Sequence, residues 1–304
     1  MGRMIHSSHF WATLQPCTPH QPTKTIVYED DVKVRVFQHK AKLFESYLPS
    51  LELTFGLMIN QDPPPTDSSP TSSLGLAPDQ GDENSPSLVK QLRSRGVIGS
   101  TTFALYLSLC GQSSFSGGLI LGGGDPSLYK HPLQFVKFTE SSLGEYFVTK
   151  INEVFVNLGT LQVGGAHITI GINEDLLLDT GTNFLYVSQL YYDAIIRDIQ
   201  AQANKAAGTT VDIKFDSSRN VWTFSCRYMP TLPPLVFGLG TKGAVPLKLS
   251  YLSYARNDQG SCYLIIKKQD DDDSWTLPGS SIIGNYFEFQ PDLGRVGIAQ
   301  VSSR

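Results

Sequence analysis

Charge is scarce in this sequence, and long apolar runs are missing. Charged residues fill 17% of its 304 positions, against about a quarter in an average globular chain. No apolar run reaches the roughly 18 residues that a membrane-crossing helix needs, so no membrane span is expected. The opening residues, Met1 to Cys17, contain early basic positions but no apolar core, and they do not read as a secretory signal. The four cysteines, Cys17, Cys110, Cys226 and Cys262, form no CxxC pair. That argues against a zinc site or a thioredoxin-like motif. One or two disulfides, or four free thiols, fit the count equally well. The six histidines show no HExxH spacing, and no GxSxG elbow supports a serine hydrolase. A net charge of −4 leaves no electrostatic footprint for nucleic acid. No tandem repeat is present, and neither metal nor cofactor is expected.

Glycine is abundant, at 27 residues, with 18 prolines beside it. This composition leans towards a β-rich, turn-rich fold. Two stretches read as surface loops, Asp62 to Ser73 and the acidic Pro78 to Ser87. A helix is expected next, with Ser85 as its cap, Pro86 in its first position and Leu88, Val89 and Leu92 on one face. Gly96 stops it. Strand patterns follow at Phe103 to Ser108, Gly118 to Gly122, Tyr146 to Leu158, Leu161 to Ile170 and Leu176 to Leu178, with a turn near Gly164-Gly165. A second helix is expected over about Gln189 to Ala206, capped by Ser188, with Ile195, Ile196, Ile199 and Ala203 on one face. The remainder returns to strands at Trp222 to Ser225, Leu235 to Phe237, Cys262 to Ile266, Tyr286 to Phe289 and Val296 to Ala299. Two isolated helices among many strands indicate a mostly β fold and not alternating βαβ units.

The chemistry concentrates at Leu176 to Tyr186, which reads LLLDTGTNFLY. Asp-Thr-Gly alone turns up by chance in about one chain in twenty of this length. Here an apolar triplet precedes it, Thr182 follows three residues after Asp179, and another apolar run comes next. The segment resembles the hydrophobic-Asp-Thr-Gly-Ser/Thr loop of pepsin-like aspartic proteases. Other segments match that family in order. Gly122 to Tyr129 is similar to its Gly-Gly-x-Asp-Pro-Ser-x-Tyr landmark. Phe55-Gly56-Leu57 and Leu74-Gly75-Leu76 resemble two first-lobe strands. Ser281-Ile282-Ile283-Gly284-Asn285 resembles the apolar-apolar-Gly strand that braces the second aspartate loop. Phe289 to Ala299 is similar to the C-terminal strand pair. The resemblance covers roughly Tyr28 to Gln300.

The resemblance implies a bilobal, mostly β, pepsin-like barrel pair: an incomplete N-terminal lobe over residues 1–132 and a C-terminal lobe over 133–304. Asp179 would be the second catalytic aspartate, on the floor of the largest cleft and braced by Ile282-Ile283-Gly284. Gly181, Thr182 and Tyr28 would meet substrate. Cys226 and Cys262 would pair, leaving Cys17 and Cys110 free. The substrate would be a polypeptide in extended conformation, the protein a monomer, and the compartment secreted, vacuolar or lysosomal.

Two departures matter. Asp-Thr-Gly occurs once, where the family has two such loops. His6 to Trp11 and Cys17 fall where the segment after the first loop would lie, which places Met4 at the first catalytic position. Tyr28 has the spacing of the family's flap tyrosine and also reads as a plain strand tyrosine. Glu29-Asp30-Asp31 replace the small residues expected beside it. Such gaps lead to the expectation that the chain as given hydrolyses peptides poorly. They leave open a non-catalytic protein of this fold that binds a protein partner, and a dimer in which each copy supplies one Asp179. Asp179 has a plainer reading as a turn aspartate ending a strand. The acidic run Asp270 to Asp273 reads as a solvated loop tip.

Overall fold

The computed structural model describes residues 22–27, 32–43, 51–63, 74–76, 86–110, 114–139, 154–269 and 274–302. Its contacts divide the chain into two units, one of residues 1–94 with 145–152, the other of 95–144 with 153–304.

In the first unit, β1 (Thr23–Val27), β2 (Lys33–Leu43) and β3 (Leu51–Asp62) form an antiparallel sheet in chain order. Phe55-Gly56-Leu57 lies in β3, where Gly56 packs against the Val36 side chain across the pair. The helix α1 (Leu88–Ser94) buries Val89 and Leu92, as its apolar spacing requires. It starts two residues later than Ser85 and Pro86 suggested. Ser87 caps it, its hydroxyl accepting the Lys90 N–H at 3.3 Å. Gly96 ends this region with φ +70°, a conformation that glycine adopts without steric cost. Buried Gln91 both accepts the Thr54 N–H and donates to the Thr54 carbonyl, each at 2.8 Å. One side chain thereby satisfies both backbone groups of a residue in β3. Leu74-Gly75-Leu76 adopts no regular strand, contrary to its family reading.

The second unit contains β4 (Phe103–Cys110), β5 (Ser114–Leu121), β6 (Gln134–Lys137), β7 (Phe155–Val163), β8 (Ala166–Leu178), β9 (Leu185–Val187) and α2 (Gln189–Ala207). Next come β10 (Lys214–Asp216), β11 (Val221–Phe224), β12 (Leu235–Leu239), β13 (Val245–Leu249), α3 (Tyr251–Tyr254), β14 (Ala255–Asp258) and β15 (Ser261–Leu264). The last are β16 (Ile266–Lys268), β17 (Ser274–Leu277), β18 (Asn285–Gln290) and β19 (Arg295–Gln300). Three sheets result, in the orders β5-β4-β18-β19-β6, β13-β12-β7-β8-β17-β9-β16 and β10-β11-β15-β14. The first sheet joins strands from both sides of residue 132. Helix α2 buries Ile195, Ile196, Ile199 and Ala203 and ends at Gly208 with φ +65°. Ser188 stands at its N-cap without closing the side-chain cap bond.

The Gly122 to Tyr129 landmark has a local cause. Asp125 caps a 3-10 turn at Pro126–Leu128, its Oδ1 accepting the Ser127 N–H at 2.9 Å and the Ser127 hydroxyl at 2.7 Å. The Asp125 N–H in turn donates to the Tyr286 hydroxyl at 2.8 Å, tying the turn to β18. Cys226 and Cys262 form a disulfide with Cα atoms 5.1 Å apart. It links the 3-10 turn Cys226–Thr231 to β15. Cys110 is free and exposed; Cys17 lies outside the described residues. Among the described residues, no helix is long and apolar enough to cross a membrane.

Candidate active site

Strand β8 delivers Asp179. Its last residues, Leu176-Leu177-Leu178, are flanked by β7 on one side and β17 on the other. Leu176 and Leu177 are buried, which is why an unbroken apolar triplet stands where a half-solvated strand would alternate. β17 runs parallel to β8, setting Leu277 beside Leu178.

At the end of the strand the chain turns sharply. The Asp179 N–H donates to the Leu277 carbonyl at 3.1 Å. Its Oδ1 accepts the Gly181 N–H at 2.8 Å, a short side-chain turn that fixes the carboxylate relative to its own loop. The Thr182 N–H reaches the Asp179 carbonyl at 3.4 Å, and the Gly279 N–H reaches the Thr182 carbonyl at 3.2 Å. Gly181 therefore supplies the described hydrogen bond to the carboxylate. Thr182 contributes its backbone N–H and carbonyl to the turn. Asp179 and Thr182 are half-buried, and Gly181 is exposed. Leu105, Leu178, Leu277 and Ile282 line a hollow beside Asp179 and Thr180.

Two expectations about this loop need correction. The brace is Leu277 to Gly279 and not Ile282-Ile283-Gly284. Ile283 forms a parallel bridge to Leu107, and the Gly284 N–H donates to the Leu107 carbonyl at 2.7 Å, so that run is engaged by β4. Ile282 alone of the three lines the hollow at Asp179. Nor is this hollow the roomiest in its unit. A larger one lies between Phe135 to Thr139 and Leu239 to Val245, with Asn157 in its wall.

Sequence reasoning passed over Trp275 and Gly279, and both shape the site. Trp275 is fully buried in β17, stacks on Tyr191 at 5.6 Å, and donates its indole N–H to Glu174 at 2.5 Å. It anchors the strand that holds the Asp179 loop. The cue was the run Trp275 to Gly279, a short apolar strand ending in Pro-Gly. Tyr28, Met4 and Asp270 to Asp273 lie outside the described residues. Among the described residues, no cluster of three histidine, cysteine or acidic side chains could hold a metal.

A half-buried carboxylate on a backbone-fixed loop, beside an apolar wall, is suited to exchanging a proton with a bound water. Comparison with known proteins gives this loop its context. The chain is 27% identical to secreted aspartic protease 8 of Candida albicans over 73% of its own length and 47% of that protein's. It is 26% identical to rabbit (Oryctolagus cuniculus) gastricsin over 68% and 48% of the two lengths. Mouse (Mus musculus) napsin-A is 27% identical over 69% and 47%. The chain thus spans about half the length of these curated relatives. The eukaryotic aspartyl protease profile matches residues 52–301, through the β8–Asp179 turn and on to the last strand, and the chain belongs to that family.

Proposed function

We propose that Asp179 is one of the two carboxylates with which an aspartic-type endopeptidase activates water against a peptide bond. The observation that carries this reading is the presentation of Asp179. It stands at the end of a buried strand, its Oδ1 held by the Gly181 N–H and its loop pinned by Leu277 and Gly279. Two close carboxylates share one proton, because like charges a few ångströms apart cannot both ionise. The charged one takes a proton from the water, and the protonated one polarises the scissile carbonyl. Gly181 and Thr182, with Tyr28 from the flap position, are the residues assigned to an extended polypeptide substrate. Residues 1–132 and 133–304 are assigned to the N-terminal and C-terminal lobes of this reading. The Cys226–Cys262 disulfide agrees with an oxidising setting, secreted, vacuolar or lysosomal.

Asp-Thr-Gly occurs once in these 304 residues. A lone carboxylate lacks the acid opposite it, and losing one member of a catalytic unit costs most of what losing all of it costs. The 304-residue chain by itself is therefore expected to be nearly inactive. The same observation favours a second reading, a non-catalytic member that binds a protein partner. An assay on denatured globin at acid pH, with Asp179→Asn beside the parent chain, separates the readings. Gain of activity on supplying an upstream Asp-Thr-Gly segment, lost again in Asp179→Asn, supports the protease reading. A complemented chain that stays inactive yet captures a protein partner supports the second.

A further inference from the structure

Glu174 stands on β8, half-buried, on the face of the strand that also carries Leu176 and Leu178. Its Oε2 accepts the indole N–H of the fully buried Trp275 at 2.5 Å. The backbone is distorted just where this side chain leaves the strand. Leu158 lies opposite Glu174, the β7–β8 register then shifts, and the next pair is Thr160 with Ile170. Asn173 adopts φ +54°, and its side-chain oxygen accepts the Asn157 amide N–H at 3.0 Å. Bulges of this kind re-aim the side chains beside them, and here the distortion adjoins the carboxylate that meets Trp275.

Strand β17 is thus tied to β8 at two places. One is the Glu174–Trp275 bond, and the other is the Asp179 N–H donating to the Leu277 carbonyl. Between them the parallel ladder sets Trp275 beside Leu176 and Leu277 beside Leu178. The ladder and the apolar face do not by themselves choose this register. Side chains repeat every two residues along a strand, so a slip of two would keep Trp275 and Leu277 on the buried face. The slip would carry Trp275 about 6.6 Å along the strand, away from Glu174. It would also bring a different carbonyl in front of the Asp179 N–H. Tyr191 stacks on the Trp275 ring and Phe237 meets it edge-on, but apolar burial is non-directional. A hydrogen bond to a carboxylate weakens steeply with misalignment. We propose that Glu174 is a positioning residue for Asp179: its carboxylate locks the register of β17 through Trp275, and β17 in that register holds the Asp179 loop. Any benefit to peptide hydrolysis rests on the protease reading; the hold on the loop does not.

Amide hydrogen exchange of the full chain, resolved residue by residue by NMR, tests it. The reporters are the Asp179 and Gly279 N–H groups, which bond to the Leu277 and Thr182 carbonyls. The Gly122 and Gly164 N–H groups, bonded to the Thr102 and Pro234 carbonyls, are the references. Glu174→Leu removes the acceptor and should speed both reporters by at least about tenfold, with the references changed by less than about twofold. Glu174→Gln keeps a carbonyl acceptor at the same reach and should recover most of the protection. In a Trp275→Phe background, which has no donor for Glu174, the same Glu174→Leu replacement should add less than about twofold. Reporter rates unchanged in Glu174→Leu overturn the proposal. So does equal speeding of reporters and references, which would mark a general loss of stability. A glutamine variant as fast as the leucine variant, or a full further rise in the phenylalanine background, overturns it as well.

Discussion

Gly279 lies so close to the Thr180 carbonyl that a Cβ built on it would come within 2.6 Å of the oxygen. The neighbour is backbone of the Asp179 loop, not the end of a movable side chain. Gly279→Ala should therefore push that loop outward and destabilise the unit by about 1–3 kcal/mol, the usual range for overpacking. Urea denaturation at neutral pH measures it. A variant as stable as the parent would mean that β17 shifts freely and does not pin the loop.

Trp275 should carry a larger share of the same brace. It is fully buried, stacked on Tyr191 and edge-on to Phe237 at 6.1 Å. Trp275→Ala is expected to cost about 3–5 kcal/mol. Trp275→Phe keeps a ring in the site and loses the bond to Glu174, and should cost distinctly less. Equal losses in the two variants would show that the indole hydrogen bond, and not ring packing, is what matters.

The Cys226–Cys262 disulfide closes a loop with a sequence separation of 36. Chain-entropy arguments assign a loop of that size roughly 3–4 kcal/mol. Replacing both cysteines with serine should lower stability by about that amount, and a reductant should have the same effect on the parent chain. Peptide mapping without reduction should recover the two cysteines in one linked species. Cys110 should be alkylated readily in the folded protein, since it is exposed and unpaired.

Alkaline titration should reveal two tyrosines that hold their protons well into the alkaline range. Burial, with Glu288 adding negative potential, pushes the Tyr286 hydroxyl up to about 12 from its usual 10. Burial raises Tyr254 well above 10 as well. The folded state thus holds protons that the unfolded chain releases. The stability linked to Tyr286 is fully present below pH 10 and is lost as pH climbs through about 12. Phenolate absorbance should show these two groups ionising late or only on unfolding. Tyr286→Phe should flatten the alkaline loss of stability while costing about 1 kcal/mol at neutral pH, because the Asp125 N–H loses its acceptor.

Much of the local structure was readable from residue order. The spacing of Ile195, Ile196, Ile199 and Ala203 specifies one face of a helix, and α2 buries those four residues. The triplet Leu176 to Leu178 specifies a strand covered on both sides, and the turn chemistry after it is contained in Asp179 and Gly181. These are short-range matters, decided by periodicity and by which residues can turn the chain. Tertiary structure decided which distant strand holds the Asp179 loop. Ile282-Ile283-Gly284 and Trp275 to Gly279 are both apolar runs ending in glycine, and either could be the brace on pattern alone. The fold places Leu277 beside Leu178, some hundred residues earlier in the chain, and gives Ile283 to Leu107. That choice rests on how the sheets pack and on the fit of a fully buried Trp275 between Tyr191 and Phe237. Packing of this kind depends on contacts between segments far apart in sequence, and no local periodicity contains them.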